Sequence, residues 1–405
     1  MQRQAERFAP ARRTTGFSFI FVAALVLLAS LSQPAQAQTY TVIHNFTGKG
    51  ADGASPYGGP IFDQAGNLLG TTYLGGTFGS GTVYKLSPAG SSWTAATLHN
   101  FAGYQDGAGP AFGSLAMYHS AVFGTTEGGV PFGTVFRVAL CKSGCRETIV
   151  HRFFMGKDGA QPIGGVVVDA AGNLYGTTSE FGANGFGTAF QIAPNGVETV
   201  IYTFVGGTDV ANPAAGVTLD AAGNLYGTCS FCGAFGTGAI YKLSPSASGW
   251  TETILYNFLG EDDGAYPVGG LVFDKAGNLY GGTFASGANG GGTVYQLSPS
   301  GGSWNLTTLY SFTGSFGGPY NKLTFDASGS LYGIANADGA NGLGSVFKLT
   351  PSNGAWTFTD LHDFAGGNDG ASPYGSVAVD AHGNVFGTAA VGGSDNQGLV
   401  FEITQ

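Results

Sequence analysis

The sequence predicts an all-β protein, a seven-bladed β-propeller with four strands per blade, its ring closed by the N-terminal strand pairing in the last blade. Three observations predict it: a phrase repeated seven times, four short apolar runs in each repeat, and chain ends that complement one another. The phrase Asp-x-x-Gly-Asn-Leu-Tyr-Gly-Thr occurs at 63–71, 169–177, 220–228 and 274–282, with looser copies at 326–334 and 380–388. A shortened copy at 118–125 has lost the Asp and the Gly-Asn. The glycine closing each phrase falls at 70, 124, 176, 227, 281, 333 and 387, so the units are 51 to 54 residues long. That length fits one propeller blade and is far too long for the rung of a β-helix.

Within the third unit the strand-like runs are 165–169, 173–178, 188–193 and 198–204, separated by turn residues. The connection at 169–173 reads as a tight hairpin whose Gly172 takes a positive φ. A glycine-rich loop joins the second and third runs, and Pro194-Asn195-Gly196 turns the third into the fourth. No helical period occurs after the leader. A lone four-stranded unit exposes two apolar faces, so neighbours must bury them and the ring must close.

The closure is legible at the ends. Residues 41–46 read Thr-Val-Ile-His-Asn-Phe and align with the fourth runs at 199–204 and 253–258, whereas 400–403 align with third runs such as 83–86. The last unit lacks its outer strand and the first residues supply a spare one, which would cover an open strand edge. The heptapeptide 52–58 recurs identically at 369–375, which supports this phasing.

Residues 1–37 have the pattern of a secretory signal peptide, and 38–405 form the seven-repeat propeller domain. Arg3, Arg7, Arg12 and Arg13 precede an apolar run over 17–31, and Ala35-Gln36-Ala37 offers small residues for cleavage. The run is short for a membrane span, which needs about 20 residues. The residues after Arg12-Arg13 favour Sec export over the twin-arginine route, and no cysteine follows the run as in a lipoprotein. A secreted, periplasmic or extracellular location is expected, with no membrane span once the signal is removed. Removing the leader takes four arginines and one glutamate from a chain of 15 basic and 25 acidic residues, which stays strongly acidic. Such a chain is a poor partner for nucleic acid or anionic membrane, whose phosphates must be neutralised. Charged residues are only 10% and glycine 72 of 405, yet 43% of residues are hydrophobic, enough for a large core.

The phrase continued by a Gly-Gly loop, Gly-Thr-Val-Tyr-Lys-Leu-x-Pro, Leu-Tyr-x-Phe and Asp-Gly-x-x-Pro resembles the GloVer tandem-repeat proteins of bacteria. The resemblance covers 40–405. It implies export to the surface or the medium and a repeat architecture, and it implies no particular activity. Members of that family carry a choice of C-terminal anchors; here the chain stops inside the last repeat at Gln405, so anchoring through the C-terminus is not expected.

In a propeller the loops from strand four to the next strand one share a face with the loops from strand two to strand three. The first kind carries Asp52, Asp106, Asp158, Asp209, Asp263 and Asp369, and only the copy near Ser315 lacks one. Six carboxylates on one rim would attract cations or basic ligands, or serve as turn residues bonding backbone amides, and turn chemistry is the more economical reading. Calcium is the one cofactor they leave open, with little support, since no copy packs several oxygen donors together. The second kind of loop carries Phe78, Phe132, Phe186 and Phe235, aligned as equivalents, with Gly291, Leu343 and Gln397 in the other units. Aromatic rings beside carboxylates can stack on sugars or peptide aromatics, or pack into their own loops.

His44, His99, His151 and His362 stand where Tyr202, Tyr256 and Tyr310 stand in other units, which makes them wall residues rather than metal ligands; no metal site is expected. The cysteines lie in two local pairs, Cys141 with Cys145 and Cys229 with Cys232, and in an exported chain both read as disulfides. Five cations, Arg137, Lys142, Arg146, Arg152 and Lys157, gather in the second unit, as a docking patch or as charged strand edges that resist stray pairing.

Function follows less directly than fold. Nearly every polar residue recurs from unit to unit, which favours a monomeric binding or scaffold module for a glycan, peptide or protein over an enzyme. A polysaccharide lyase or glycosidase would need an acid, a base and a cation off the repeat near the axis, and Glu127 and Glu180 are the carboxylates to nominate. A structural envelope component is the third reading.

Overall fold

The computed structural model describes residues 38–405 apart from 105, 111, 130–131, 141–146 and 315. The signal pattern at 1–37 and the Cys141–Cys145 pair lie outside the described residues. Seven antiparallel four-stranded sheets stand in a ring, and the one helical element among the described residues is a single 3-10 turn at Gly367–Asp369. No helix among them is long and apolar enough to cross a membrane. Blades are numbered 1 to 7 in chain order, with strands one to four running outward from the axis. In blade 3 the strands are Val166–Val168, Leu174–Thr178, Thr188–Ile192 and Glu198–Thr203, within two residues of the runs expected from sequence.

The repeated phrase has a physical cause at each position. Asp169 opens the hairpin between strands one and two. Its Oδ1 accepts the N–H of Ala171 and of Asn173 at 2.9 Å, and its Oδ2 accepts the Asn173 side-chain amide at 2.8 Å. Gly172 sits between them at φ 86°, a conformation that L side chains resist. Asp274 is held in the same way and also accepts the Tyr280 hydroxyl at 3.0 Å. Burial pushes the Asp274 carboxyl up, but the bonds from Asn278, Tyr280 and Ala276 outweigh it and hold the group below the usual range. The glycine closing the phrase makes room for an aromatic ring of strand three. A Cβ on Gly70, Gly124, Gly176, Gly227, Gly281, Gly333 or Gly387 would come closer than 3.0 Å to Tyr84, Phe136, Phe190, Tyr241, Tyr295, Phe347 or Phe401 respectively.

Those rings in turn join the blades. The buried phenylalanine ending each strand four (Phe46, Phe101, Phe153, Phe204, Phe258, Phe312, Phe364) meets the strand-three ring of the next blade at centroid distances of 5.0 to 5.5 Å. Edge-to-face or tilted contacts of this kind occur at all seven junctions, so the core is a closed circle of aromatic pairs.

Closure happens as the chain ends predict. Thr39–Asn45 pairs antiparallel with Leu399–Thr404, from Thr39 opposite Thr404 to Asn45 opposite Leu399. The register shift between Val42 and His44 reproduces the one found between strands three and four of every other blade. Phe46 is 0% exposed and packs with Leu68, Tyr84 and Leu86 of blade 1 and with Phe386 and Val400 of blade 7.

Candidate functional site

The loops after strands four and two interlock on one face. The residue before each loop proline donates its N–H to the preceding blade's glycine-rich loop: Gln161 to the Phe132 carbonyl, Asn212 to Phe186, Tyr266 to Thr237, Ser372 to Leu343, Ser55 to Gln397, Gly109 to Ser80 and Gly318 to Phe284, at 2.8 to 3.3 Å. The result is a continuous rim around the axis.

On this rim the six loop aspartates are turned inward. Each accepts a backbone N–H from the start of its own loop: Asp52 from Thr47, Asp106 from Ala102, Asp158 from Phe154, Asp209 from Val205, Asp263 from Leu259 and Asp369 from Ala365, at 2.6 to 3.3 Å. The strand-four ring meets the same carboxylate. His99 Nε2 lies 2.9 Å from Asp106, His362 Nε2 3.0 Å from Asp369, and the Tyr256 hydroxyl donates to Asp263 at 3.0 Å. In these three units histidine and tyrosine interchange because either brings a donor to the same carboxylate.

Between blades 1 and 2, Glu147 joins His99 and Asp106, and ligating atoms of the three lie within 4.8 Å of one another. Glu198 and Glu252 hold the same place in the next two blades. Burial foremost, then the neighbouring Asp158, raises the Glu198 carboxyl to about 7. Burial, then the hydrogen bond and charge of Asp209, raises Glu252 to about 8. No sequence pattern points to this set, because its members come from adjacent blades.

The four loop phenylalanines are not equivalents, and here the structure corrects the alignment. Phe132 and Phe186 immediately precede the Gly-Thr that opens strand three, and their carbonyls accept the rim bonds. The loops of blades 1, 3 and 4 are equally long, from Thr72 to Thr82, Thr178 to Thr188 and Cys229 to Ala239, but Ser80 and Thr237 take the place of Phe186, and Phe78 and Phe235 lie two residues earlier, at the loop tips. Phe78 and Phe235 are 62% and 60% exposed, whereas Phe132 is half-buried, its ring 6.2 Å from Phe181. Exposed large apolar side chains crowd this face: of thirteen among the described residues, all but Val197 lie on its loops, including Tyr104, Phe154, Phe231 and Phe316.

Toward the axis the rim becomes an aromatic cap. Tyr57 contacts Tyr73, Phe112 and Tyr374 at 5.1 to 5.4 Å between centroids, and Tyr320 contacts Phe112, Phe284 and Tyr374 at 5.4 to 5.7 Å. These residues were missed from sequence, although a signal existed. The position two before the innermost strand's Gly/Ser site is Tyr57, Phe112, Tyr320 or Tyr374 in four blades and Ile163, Ala214 or Val268 in the other three. Tyr73 donates its hydroxyl to Glu127, and that bond, ahead of burial, pushes the phenol to about 12. Glu180 is tied by its backbone to Ala160, in the loops between blades 2 and 3, and is not bonded to Glu127.

Cys229 and Cys232 lie at disulfide distance, both buried, with Cα atoms 5.9 Å apart. On the opposite face, a cavity of about 630 Å³ between blades 2 and 3 is lined by Tyr118, His119, Phe123, Arg137, Thr148 and Asn195.

A family model for the Gloeobacter/Verrucomicrobia repeat matches residues 31–230 and 216–405. The chain belongs to that family. Its two matched spans together take in every blade of the ring. No curated protein matches the sequence. Among solved structures, the chain is similar to PorZ, a surface component of the type-IX secretion system of Porphyromonas gingivalis, at 16% identity and a TM-score of 0.51, over 87% of this chain and 46% of that one. It is also similar to a protein titled a gluconolactonase (16% identity, TM-score 0.41, 67% of this chain and 84% of that one). A third is an oxidoreductase of the glucose dehydrogenase type from Thermus thermophilus (16%, 0.47, 80% and 99%). At such identities the likeness concerns the fold.

Proposed function

We propose that this protein is exported and works outside the cytoplasm as a binding module, holding a polysaccharide on the loop face of its propeller. One observation carries the reading: nearly all exposed large apolar side chains gather on that face, and many are aromatic rings at loop tips. Flat rings such as Phe78, Phe231 and Phe235 offer the surface on which sugar faces stack. The rim carboxylates support the loops, and by accepting their own backbone amides they fix the tips without blocking them. Export is supported by the signal pattern at 1–37 and by paired cysteines. Enzymatic use of the face has no comparable support, since Glu127 is engaged by Tyr73 and Glu180 stands apart in other loops.

The test is retention of the mature protein in affinity electrophoresis against a panel of neutral and acidic polysaccharides. Phe78→Ala with Phe235→Ala should weaken retention at least tenfold at unchanged melting temperature, because both rings are exposed. Unaltered retention in the double variant, binding of peptides only, or release of shortened sugars would each overturn the reading.

A further inference from the structure

The innermost strands nearly touch at the axis. Seven equivalent positions line it: Gly59, Ser114, Gly165, Gly216, Gly270, Lys322 and Ser376. Six hold glycine or serine, as the space demands, since a Cβ on Gly59 would come closer than 3.0 Å to Ser376. Blade 6 alone places a long cationic side chain there. Lys322 runs across Gly270, whose added Cβ would lie 3.7 Å from the lysine Cβ and 3.8 Å from its Cδ. Its neighbour Asn321 also breaks the repeat and donates to the Phe112 carbonyl at 2.8 Å across the axis, fixing the backbone at the lysine.

Lys322 lines an axial cavity of about 310 Å³ with Ser114, Val166, Gly216 and Thr218. The cavity follows strands one away from the aromatic cap, from Ser114 to Ala116 and from Val166 to Val168, so it is approached from the face opposite the loop rim. No Asp or Glu lines it, and among the described residues Lys322 makes no ion pair. Protein surrounds the side chain on nearly every side, though it keeps partial contact with water through the channel.

We propose that Lys322 makes this axial cavity a binding site for a small oxyanion, a molecule carrying a carboxylate or a phosphoryl group. An enclosed ammonium without a counter-charge is costly, and an arriving oxyanion supplies the missing charge and accepts its hydrogen bonds. Burial alone draws the Lys322 amine below its ordinary value, as expected of a cation whose partner is not part of the chain. A chain with ten net negative charges has no general attraction for anions, so a one-to-one oxyanion site on it needs a local cation of this kind. The site is independent of what the loop face holds.

The test uses mature protein titrated with sodium acetate and with sodium phosphate against sodium chloride at matched ionic strength, at pH 6.5. Calorimetry follows binding, and ¹³C NMR of reductively methylated lysines follows the Lys322 signal, assigned by its absence in Lys322→Met. The expected result is saturable binding at one site by at least one oxyanion, movement of the Lys322 signal in step with it, and a loss of tenfold or more in Lys322→Met. Acetate alone would assign the site to carboxylates, phosphate alone to phosphoryl groups. Equal binding by Lys322→Met, a Lys322 signal that stays fixed, or no binding beyond chloride would overturn the proposal. Lys322→Arg, which keeps a long cation in the channel but carries no methylated lysine there, supplies the same NMR assignment where Lys322→Met folds poorly.

Discussion

Phe46→Ala isolates the closure of the ring. Phe46 is fully buried between blades 7 and 1, with Tyr84 at 5.2 Å, and truncating such a ring costs about 3–5 kcal/mol. Phe204→Ala removes the equivalent ring between blades 3 and 4, packed on Tyr241 at 5.5 Å, and should cost a similar amount. The mode of unfolding should nevertheless differ between the two variants. Strand four of blade 3 is joined through the chain to strand three of its own blade, whereas Thr39–Asn45 is held in blade 7 by noncovalent contacts, namely its ladder to Leu399–Thr404, the Tyr40 ring stacked on His362 and bonded to the Asp369 carbonyl, the Asn45 side chain accepting from Ser394, and Phe46. Losing several kcal/mol at that seam is large beside a total stability of about 5–15 kcal/mol, so the seam should open before the ring unfolds. Trp93 reports it, since its indole lies 5.7 Å from Phe386 of blade 7 and donates to Glu402. In a variant keeping Trp93 as its sole tryptophan, Phe46→Ala should shift the urea midpoint of fluorescence below that of circular dichroism, whereas Phe204→Ala should move both together. Deleting 39–46 should expose the edge at 399–404 and yield aggregates. A monomeric deletion variant with unchanged melting temperature, or coincident transitions in Phe46→Ala, would refute the reasoning.

The blade interfaces and the rim each carry a further prediction. Below pH 4.5 the Glu252 carboxyl is neutral in both folded and unfolded chains; between there and about 8 the unfolded chain loses its proton while the folded one keeps it, so stability falls as pH rises. Discounted for partial solvent contact, Glu252→Gln should gain about 2 kcal/mol at pH 8.5 and nothing at pH 4, measured by urea unfolding; equal effects at both would count against a buried acid. Cys229 and Cys232 should resist alkylation in the native oxidised protein, and replacing both with serine should cost about 2 kcal/mol at most, because the loop closed is short. Labelling of either thiol without reductant would refute the bridge.

The cysteine pair, the hairpins and the clasp were legible because each is local or repeats. The Asp-x-x-Gly-Asn turn shows its own chemistry within five residues, and seven copies fix the blade count. Whatever depends on two blades at once escaped. The alignment that equated Phe78 with Phe186 failed because, in loops of equal length, the ring moves two positions along to the loop tip while Ser80 takes its place before the Gly-Thr phrase. His99 and His362 were readable as wall residues, but not as partners of Asp106 and Asp369. Lys322 was visible as a residue and invisible as an exception, since only the ring reveals that its six counterparts face the same axis.

By itself the sequence determined the strand period, the turn geometry, the number of blades and the complementary ends, because these are set by interactions among residues close in the chain or identical in each repeat. Only the tertiary structure decided which side chains share a rim, which acids press together between blades, and which cation stands in the channel. Circular closure brings residues hundreds of positions apart within contact, and no local pattern encodes the direction in which a side chain then points.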